Sequence, residues 1–215
     1  MKPLGKVNLK WSPDFAYALG LLATDGNLSL DGRHIDLTSK DNEQLGNFLR
    51  CLKIANKIGS KYSGSGRKYF RVQIGDINFY KFLLNVGFMP AKSKIISKLD
   101  IPDKYFFDFL RGHFDGDGTF YSYRDARWRN SFMFYTVFVS ASMAHLKWLR
   151  NKLFDNLDIS GHISSSKNRS AHELRYAKAE SLKLLPKLYY NPLVICLSRK
   201  RNKVEGVLAS QGKKL

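Results

Sequence analysis

Two Asp-Gly steps, at Asp25 and Asp117, end similar apolar stretches of this 215-residue chain. The first stretch reads ALGLLATDG and the second reads LRGHFDGDG. Gly20 and Gly112 are 92 residues apart, as are Asp25 and Asp117, which indicates an internal duplication. A carboxylate is unfavourable at a helix C-terminus because the helix dipole already places negative charge there, and two neighbouring carboxylates also repel each other. Divalent cations relieve both penalties, so the pair predicts a site where Mg²⁺ assists phosphodiester hydrolysis.

Small residues in the first stretch predict how the two acids are brought together. Ala16, Gly20 and Ala23 fall on one face of a helix, and such a face lets a second helix approach closely. Gly112 occupies the equivalent place in the second stretch. We therefore expect the two helices to cross at Gly20 and Gly112, with their C-terminal ends side by side. The alternative is that each Asp-Gly step is only a turn that ends a helix.

The elements around the two stretches follow the same order in both halves. Ser12, Pro13 and Asp14 predict a helix start by capping, proline at the first turn and an early acid. Alternating apolar residues predict strands and amphipathic stretches predict helices, in the order αββαββα twice. We expect an α+β fold with two pseudo-symmetric repeats, residues 1–91 and 105–215, joined by an exposed linker over 92–104. The antiparallel sheets should form a saddle with the motif helices packed at the centre.

The composition bounds the class of protein. Lys and Arg number 36 against 18 Asp and Glu, a net charge of +18, which favours a polyanionic partner. No apolar run is long enough for a membrane span, so no membrane partner is expected. Cys51 and Cys196 sit in apolar surroundings and imply no disulfide framework, which favours an intracellular, reducing compartment.

The open faces of the two sheets are the predicted nucleic-acid surface, because helices can cover only one side of each sheet. Polar and aromatic strand residues can read base edges while basic loops hold phosphates, although an ordinary solvated face is the alternative. Of these residues, Arg71, Gln73 and Arg175 are expected to point into the groove, and Lys167 and Arg169 to touch phosphate only. The full predicted set is Ser29, Asp31, Arg33, Arg67, Lys68, Tyr69, Arg71, Gln73, Tyr121, Tyr123, Arg127, Arg129, Lys167, Arg169 and Arg175.

The paired motifs, the repeated element order and the size resemble a monomeric, two-repeat LAGLIDADG homing endonuclease. The second motif, FLRGHFDGDG, matches closely, and the first has Ala23 where the motif has its first Asp but keeps Asp25. The resemblance implies that Asp25 and Asp117, with Gly26 and Gly118 beside them, bind catalytic Mg²⁺. Mn²⁺ should substitute for Mg²⁺, whereas Ca²⁺ should support binding without efficient cleavage.

The resemblance also implies basic residues near the scissile phosphates, supplied after the last helix of each repeat. Lys92 and Lys200 occupy such places, with Lys94 and Arg199 as competitors and a phosphate-rim role for all four as the alternative. Ser39 and Ala141 stand where the family often has a polar residue that organises water, a role that Ala141 cannot fill. Asp115 has Ala23 as its counterpart, so we expect it to be a capping or solvent-facing residue.

These features together predict a site-specific endonuclease that makes a double-strand break in a long DNA target and acts as a monomer. The alternative is a scaffold without cleavage activity, acting as an RNA-splicing maturase or a DNA-binding regulator. Loss of the motif acids would favour that alternative, and both acids are present.

Overall fold

The computed structural model describes residues 5–62, 64, 66–126, 131–165 and 170–215, and shows an α+β protein built from two similar halves. Four predicted DNA-contact residues, Arg127, Arg129, Lys167 and Arg169, lie outside the described residues. The helices are α1 (Pro13–Asp25), α2 (Asn42–Leu52), α3 (Ile77–Val86), α4 (Phe106–Asp117), α5 (Met143–Leu157), α6 (Lys178–Leu188) and α7 (Ser198–Ala209). The strands are β1 (Gly26–Leu28), β2 (His34–Ser39), β3 (Gly59–Tyr62), β4 (Lys68–Gly75), β5 (Thr119–Arg124), β6 (Phe132–Ser140), β7 (His162–Ser165) and β8 (His172–Tyr176).

The predicted αββαββα order is confirmed in both halves, and α7 follows the second copy. Capping side chains fix where several helices begin. The Ser12 hydroxyl accepts a hydrogen bond from the Phe15 amide at 3.1 Å, and Asp41 and Ser142 cap α2 and α5 in the same way. Each cap satisfies a backbone N–H that lacks a partner within the helix.

Two four-stranded antiparallel sheets have equivalent strand orders, β1-β2-β4-β3 and β5-β6-β8-β7. One face of the first sheet carries Ile35, Leu37, Val72 and Ile74, which are buried in the hydrophobic core. Phe134, Phe138 and Leu174 do the same in the second sheet. Because side chains alternate along a strand, the polar residues between them lie on the opposite face, away from this core.

The segment between the halves is exposed over much of its length, as its lysines suggested, but it also sends several side chains into the core. Ile96, Leu99 and Ile101 are buried in the core, and the Ile96 carbonyl accepts a hydrogen bond from the Ser142 hydroxyl. These three apolar residues turn inward, while Ile95, Lys94 and Lys98 stay in solvent. Within the described residues, no helix is long and apolar enough to cross a membrane.

Candidate active site at the crossing of the motif helices

Helices α1 and α4 pack at the centre of the molecule, with backbone against backbone. A Cβ atom added at Gly20 would lie 2.1 Å from the Phe109 carbonyl oxygen, and one added at Gly112 would lie 2.1 Å from the Tyr17 carbonyl oxygen. Both distances are far below van der Waals contact, so this crossing requires glycine on each helix. The C-terminal ends of α1 and α4, which carry Asp25 and Asp117, therefore lie next to each other.

The two carboxyl groups influence each other electrostatically. Burial and the neighbouring Asp117 raise the pKa of Asp25 to about 6. Desolvation also raises the pKa of Asp117, although this side chain still reaches solvent, and the positive charges of Lys92 and Lys200 oppose that increase. Two acids with raised pKa values at paired helix ends form a site that a cation would stabilise.

Gln44 is a site residue that was not predicted from the sequence. Its Nε2 donates a hydrogen bond to Asp25 Oδ2 at 2.6 Å, and its Oε1 accepts one from the Ser39 hydroxyl at 2.9 Å. Gln44 lies three positions after the helix cap Asp41, so it turns back over the strand end that carries Ser39. The cap was recognisable in the sequence, but the contact between α2 and the end of α1 was not.

The second half has a different arrangement at this point. Ser140 is the counterpart of Ser39, because each ends its strand and its hydroxyl accepts from the helix-cap amide two residues later, at 3.1 Å from Ser142 and 3.0 Å from Asp41. The expected pairing of Ser39 with Ala141 is therefore wrong by one residue. His145 takes the place of Gln44, and its Nδ1 lies 2.8 Å from the Ser97 carbonyl oxygen.

His145 is turned away from Asp117 and into the core. Its ring stacks on that of His113 with centroids 5.2 Å apart, and burial lowers the pKa of both imidazoles. Two neutral histidines thus fill the space beside α4. Asp117 accordingly has no side-chain hydrogen-bond partner among the residues that the structure describes.

Lys92 and Lys200 lie at equivalent positions beside the two helix ends. Lys92 Nζ donates to the Thr24 carbonyl at 3.2 Å, and Lys200 Nζ donates to the carbonyls of Phe114, Asp115 and Gly118 at 2.5, 2.9 and 2.6 Å. Burial lowers the pKa of each lysine to about 8, while Asp25 and Asp117 oppose the decrease.

The competing cations are placed differently. Lys94 is exposed, and Arg199 donates to Asp41 at 2.9 Å while most of its side chain is in solvent. Lys92 and Lys200 are therefore the two basic residues that the fold brings to the motif ends. Both interact with carbonyl groups that the helix ends leave without intrahelical partners, which is favourable for a cation at a helix C-terminus.

Asp115 is neither a capping nor a solvent-facing residue, contrary to expectation. Its side chain is fully buried and its Oδ2 accepts hydrogen bonds from the Tyr17 hydroxyl at 2.8 Å and the Leu197 amide at 2.7 Å. Burial raises the pKa of Asp115 to about 6. The residue ties α1, α4 and the start of α7 together, and thereby fixes the helix that carries Lys200.

The site offers two carboxylates for a metal ion. Within the described part of the chain, no group of three or more His, Cys, Asp and Glu side chains is arranged to hold a metal. Mg²⁺ in proteins is commonly bound by one or two carboxylates, with phosphate oxygens of the substrate and water completing its shell. Asp25 and Asp117 fit that pattern, because they are two carboxylates at adjacent helix ends, where desolvation penalises their charged forms. The Gly118 carbonyl already accepts from Lys200 and has a second lone pair free for another contact.

The predicted contact residues of the first half divide between a sheet face and a hairpin end. Tyr69, Arg71 and Gln73 alternate with the buried Val72 and Ile74 on β4. Ser29, Asp31 and Arg33 instead lie between β1 and β2. Asp31 stabilises that turn by accepting from the amides of Arg33 and His34 at 3.0 Å each. Its side-chain hydrogen bond with the His34 imidazole, together with these amide contacts, lowers its pKa to about 2.

The open face of the first sheet carries a further acid that the prediction omitted. Arg71 donates to Asp36 through Nε at 2.9 Å and through a terminal guanidinium nitrogen at 2.7 Å. Arg67 and Lys68 are exposed at the start of β4. In the second half, Tyr121, Tyr123 and Arg175 lie on the equivalent face, where Arg175 pairs with Glu173.

No protein-family model and no curated protein matches this sequence. The fold matches solved structures, among them the homing endonuclease I-WcaI bound to its DNA recognition sequence, with a TM-score of 0.61 and 15% identity over 90% of this chain and 86% of that chain. I-DmoI in complex with DNA and Ca gives a TM-score of 0.58 and 13% identity over 89% and 97%. I-DmoI has also been solved with DNA and Mn.

Full-length DUF199/WhiA from Thermatoga maritima matches as well, with a TM-score of 0.56 and 16% identity over 93% of this chain and 69% of that chain. The N-terminal domain of DUF199/WhiA is itself described as a LAGLIDADG domain. At such low identity these likenesses establish the fold alone. The chain has the LAGLIDADG two-repeat fold, and the resemblance predicted from its paired motifs is confirmed at that level.

Proposed function

We propose that this protein is a site-specific endonuclease that uses divalent metal ions to cut both strands of a duplex DNA target. The observation that carries the proposal is the pairing of Asp25 and Asp117 at adjacent helix ends, each close to a buried lysine. A site with one such unit in each half suits a substrate with two antiparallel strands. The net charge of +18 favours the approach of that polyanion.

Each residue of the site has a part in this proposal. Asp25 and Asp117 would hold Mg²⁺ with the carbonyl groups at Gly26 and Gly118, and the bound ion would supply an activated water and charge for the leaving oxygen. Gln44 fixes the carboxylate of Asp25 in one orientation by the hydrogen bond at 2.6 Å. Lys92 and Lys200 carry positive charge beside the place where a scissile phosphate would lie, and their pKa values of about 8 allow proton exchange near neutral pH.

A DNA-binding protein without cleavage activity is the second candidate. The match to WhiA, which is not named as an endonuclease, favours it, as does the absence of a Gln44 equivalent beside Asp117 among the residues described. Such a protein would hold DNA on the same sheet faces and leave its strands intact. The two acids, which a binding protein does not need, are the reason for preferring the endonuclease.

The test begins with a target selected from a randomised duplex library in Ca²⁺. Wild-type protein should cut that target in Mg²⁺ or Mn²⁺, whereas Asp25→Asn and Asp117→Asn should lose double-strand cleavage and bind within about threefold of wild type. Asp155→Asn, which changes an exposed acid on α5, is the matched control and should cut normally. Binding without cleavage by the wild type would favour the second candidate, and a failure to select any DNA sequence would contradict both.

A further inference from the structure

The open faces of the two sheets differ in chemistry, although their strands are equivalent. Counting back from Ser39 and Ser140, Thr38 corresponds to Val139 and Asp36 to Val137. The 92-residue offset relates Ser29 and Asp31, which lie between β1 and β2, to Tyr121 and Tyr123 on β5. Polar residues of the first half are thus replaced by valine and tyrosine in the second.

The second sheet carries apolar residues on its open face as well as on the face that packs into the hydrophobic core. Phe134, Thr136 and Phe138 of β6 face the helices and are fully buried. The alternate residues of β6 therefore face the open side, and none of them belongs to the core cluster. These residues are Met133, Tyr135, Val137 and Val139.

Tyrosines on the neighbouring strand β5 widen the apolar strip formed by these open-face residues of β6. The ring of Tyr135 stacks on that of Tyr121, with centroids 5.3 Å apart and planes at 18°, and on that of Tyr123, at 6.2 Å and 4°. Tyr123 is 43% exposed, and Tyr121, Tyr135 and Val139 are partly exposed. We name this surface of β5 and β6, formed by Tyr121, Tyr123, Met133, Tyr135 and Val139, the tyrosine-valine face; Val137 lies beneath it and is only 1% exposed.

A duplex groove offers one apolar group to such a surface. The 5-methyl group of thymine is the distinctive apolar feature of the major-groove edge, and apolar side chains recognise it by contact. Arg124 is exposed at one end of β5, and Arg175 lies beside Val137 across the strand pair. These two arginines can bind phosphates or guanine edges beside the apolar residues. The surface therefore combines electrostatic attraction with a centre that can contact methyl groups.

Single-stranded nucleic acid is the less suitable occupant. Stacking of unpaired bases requires open ring faces. The ring of Tyr135 is already stacked against Tyr121 and Tyr123, so it presents little free face to an incoming base.

We propose that the tyrosine-valine face reads thymine methyl groups in the major groove, so the half-site under the C-terminal repeat is rich in A·T pairs. This inference rests on the proposed function, since it requires site-specific duplex binding. The half-site under the N-terminal repeat is read by hydrogen bonds instead, through Thr38, Arg71 and Gln73, whose side chains can donate to or accept from base edges.

The first experiment replaces deoxythymidine by deoxyuridine, which removes only the methyl group and keeps base pairing. The target is selected in Ca²⁺ at fixed salt, and the half-site whose consensus changes with Arg71→Ala is assigned to the N-terminal repeat. Deoxyuridine in the other half-site should weaken binding about fourfold per contacted methyl, the ratio that corresponds to about 0.8 kcal/mol. Deoxyuridine in the N-terminal half-site should change affinity by less than about twofold.

The second experiment exchanges valine and threonine at equivalent positions. Val139→Thr keeps the side-chain shape but replaces one methyl group by a hydroxyl, so it should reduce the deoxyuridine effect in its half-site and relax the preference for thymine. Thr38→Val is the matched control in the N-terminal repeat. It should leave unchanged the deoxyuridine effect in the half-site under the C-terminal repeat. Because both changes are nearly isosteric and partly exposed, both variants should melt within a few degrees of wild type.

The outcomes separate the inference from the proposed function. A selected consensus that tolerates deoxyuridine equally in both halves would overturn the methyl-reading inference while leaving site-specific binding intact. Tighter binding to single-stranded pyrimidine tracts than to duplex would also overturn it, in favour of base stacking. If no duplex consensus can be selected at all, the proposed function fails.

Discussion

At the scale of single residues, the candidate site is a place where charge lowers stability. Asp25 is ionised near neutral pH although burial and Asp117 raise its pKa to about 6. Lys92 and Lys200 remain largely protonated although burial lowers their pKa values to about 8. Both kinds of shift mean that the charged form costs free energy in the folded protein. A binding partner that compensates these charges would recover that free energy.

The free-energy cost of the Asp25 charge predicts that Asp25→Asn stabilises the protein in the absence of divalent cations. The folded-state pKa of Asp25 lies above its unfolded value, so its ionisation costs stability above about pH 6, and the cost disappears as the pH falls below about 4. The variant keeps an oxygen that can accept from Gln44 and loses the repulsion with Asp117. We expect a gain of about 1–2 kcal/mol at neutral pH and none near pH 4. Thermal unfolding at both pH values with a chelator present measures the difference.

With a divalent cation present, we expect the wild type to be more stable than Asp25→Asn. A cation that binds only the folded wild type raises its melting temperature with concentration, while Asp25→Asn should respond little. Equal stabilisation of both proteins by Mg²⁺ or Mn²⁺ would show that the ion binds elsewhere. A wild type more stable than the variant at neutral pH without metal would show that Asp25 is not strained.

The sequence identified the acids and lysines of the site but not the residues that hold them. Asp25 and Asp117 were recognisable because they recur in a repeat, and Lys92 and Lys200 because they follow the last helix of each αββαββα copy. Gln44 belongs to no repeated pattern, since its counterpart is His145 and that side chain is turned into the core. The role of Asp115 was predicted wrongly because symmetry with Ala23 says nothing about α7, which has no counterpart among the described elements of the first half.

At the scale of elements, the close crossing of α1 and α4 decides the geometry of the site. The Gly20 position faces the Phe109 carbonyl and the His113 amide of α4, so a methyl group cannot be placed without moving one helix. Backbone atoms cannot rotate away as a flexible side chain can. Displacement of either helix would also move Asp25 relative to Asp117.

Gly20→Ala should therefore lower stability and cleavage together. Overpacking of a rigid contact costs about 1–3 kcal/mol, which lowers the melting temperature by several degrees in a chain of this length. Gly46→Ala is the matched control, because Gly46 lies on the exposed face of α2 and an added Cβ would meet nothing within 4 Å. That control should be stabilised by about 0.5–1 kcal/mol through better helix propensity. Calorimetry and a cleavage assay on both variants check the pair, and wild-type behaviour of Gly20→Ala would contradict the crossing.

The element order was predictable because its signals are local, and the exceptions are contacts between distant segments. Alternation of Phe70, Val72 and Ile74 with polar residues defined β4, and Ser12 defined the start of α1. The burial of residues after Lys92 was not predicted, because it depends on contacts with α5. Ser142, which caps α5, and His145 form hydrogen bonds with the main chain of this segment. No local pattern could have shown that contact.

At the scale of the whole molecule, the excess of positive charge lowers the stability of the folded state and raises the affinity for a polyanion. With 36 basic and 18 acidic residues, the compact state is destabilised by self-repulsion while the same charges attract a polyanion. Salt screens both effects. The basic residues on the open sheet faces should therefore matter for DNA affinity, and those on the helical side mainly for repulsion.

Raising the salt concentration should increase the melting temperature of the free protein and weaken its binding to duplex DNA. Lys68→Gln, which changes an exposed residue on β4, should reduce the slope of log affinity against log salt by about one unit. Lys81→Gln changes an exposed residue of α3 and removes the same charge on the side of the sheet covered by helices, so it should leave that slope within about 0.3 units of wild type. Both variants should have melting temperatures that depend less on salt, because each lowers the net charge equally. Equal slopes for Lys68→Gln and Lys81→Gln in DNA binding would mean that the molecule attracts DNA by net charge alone, without using the sheet faces as its binding surface.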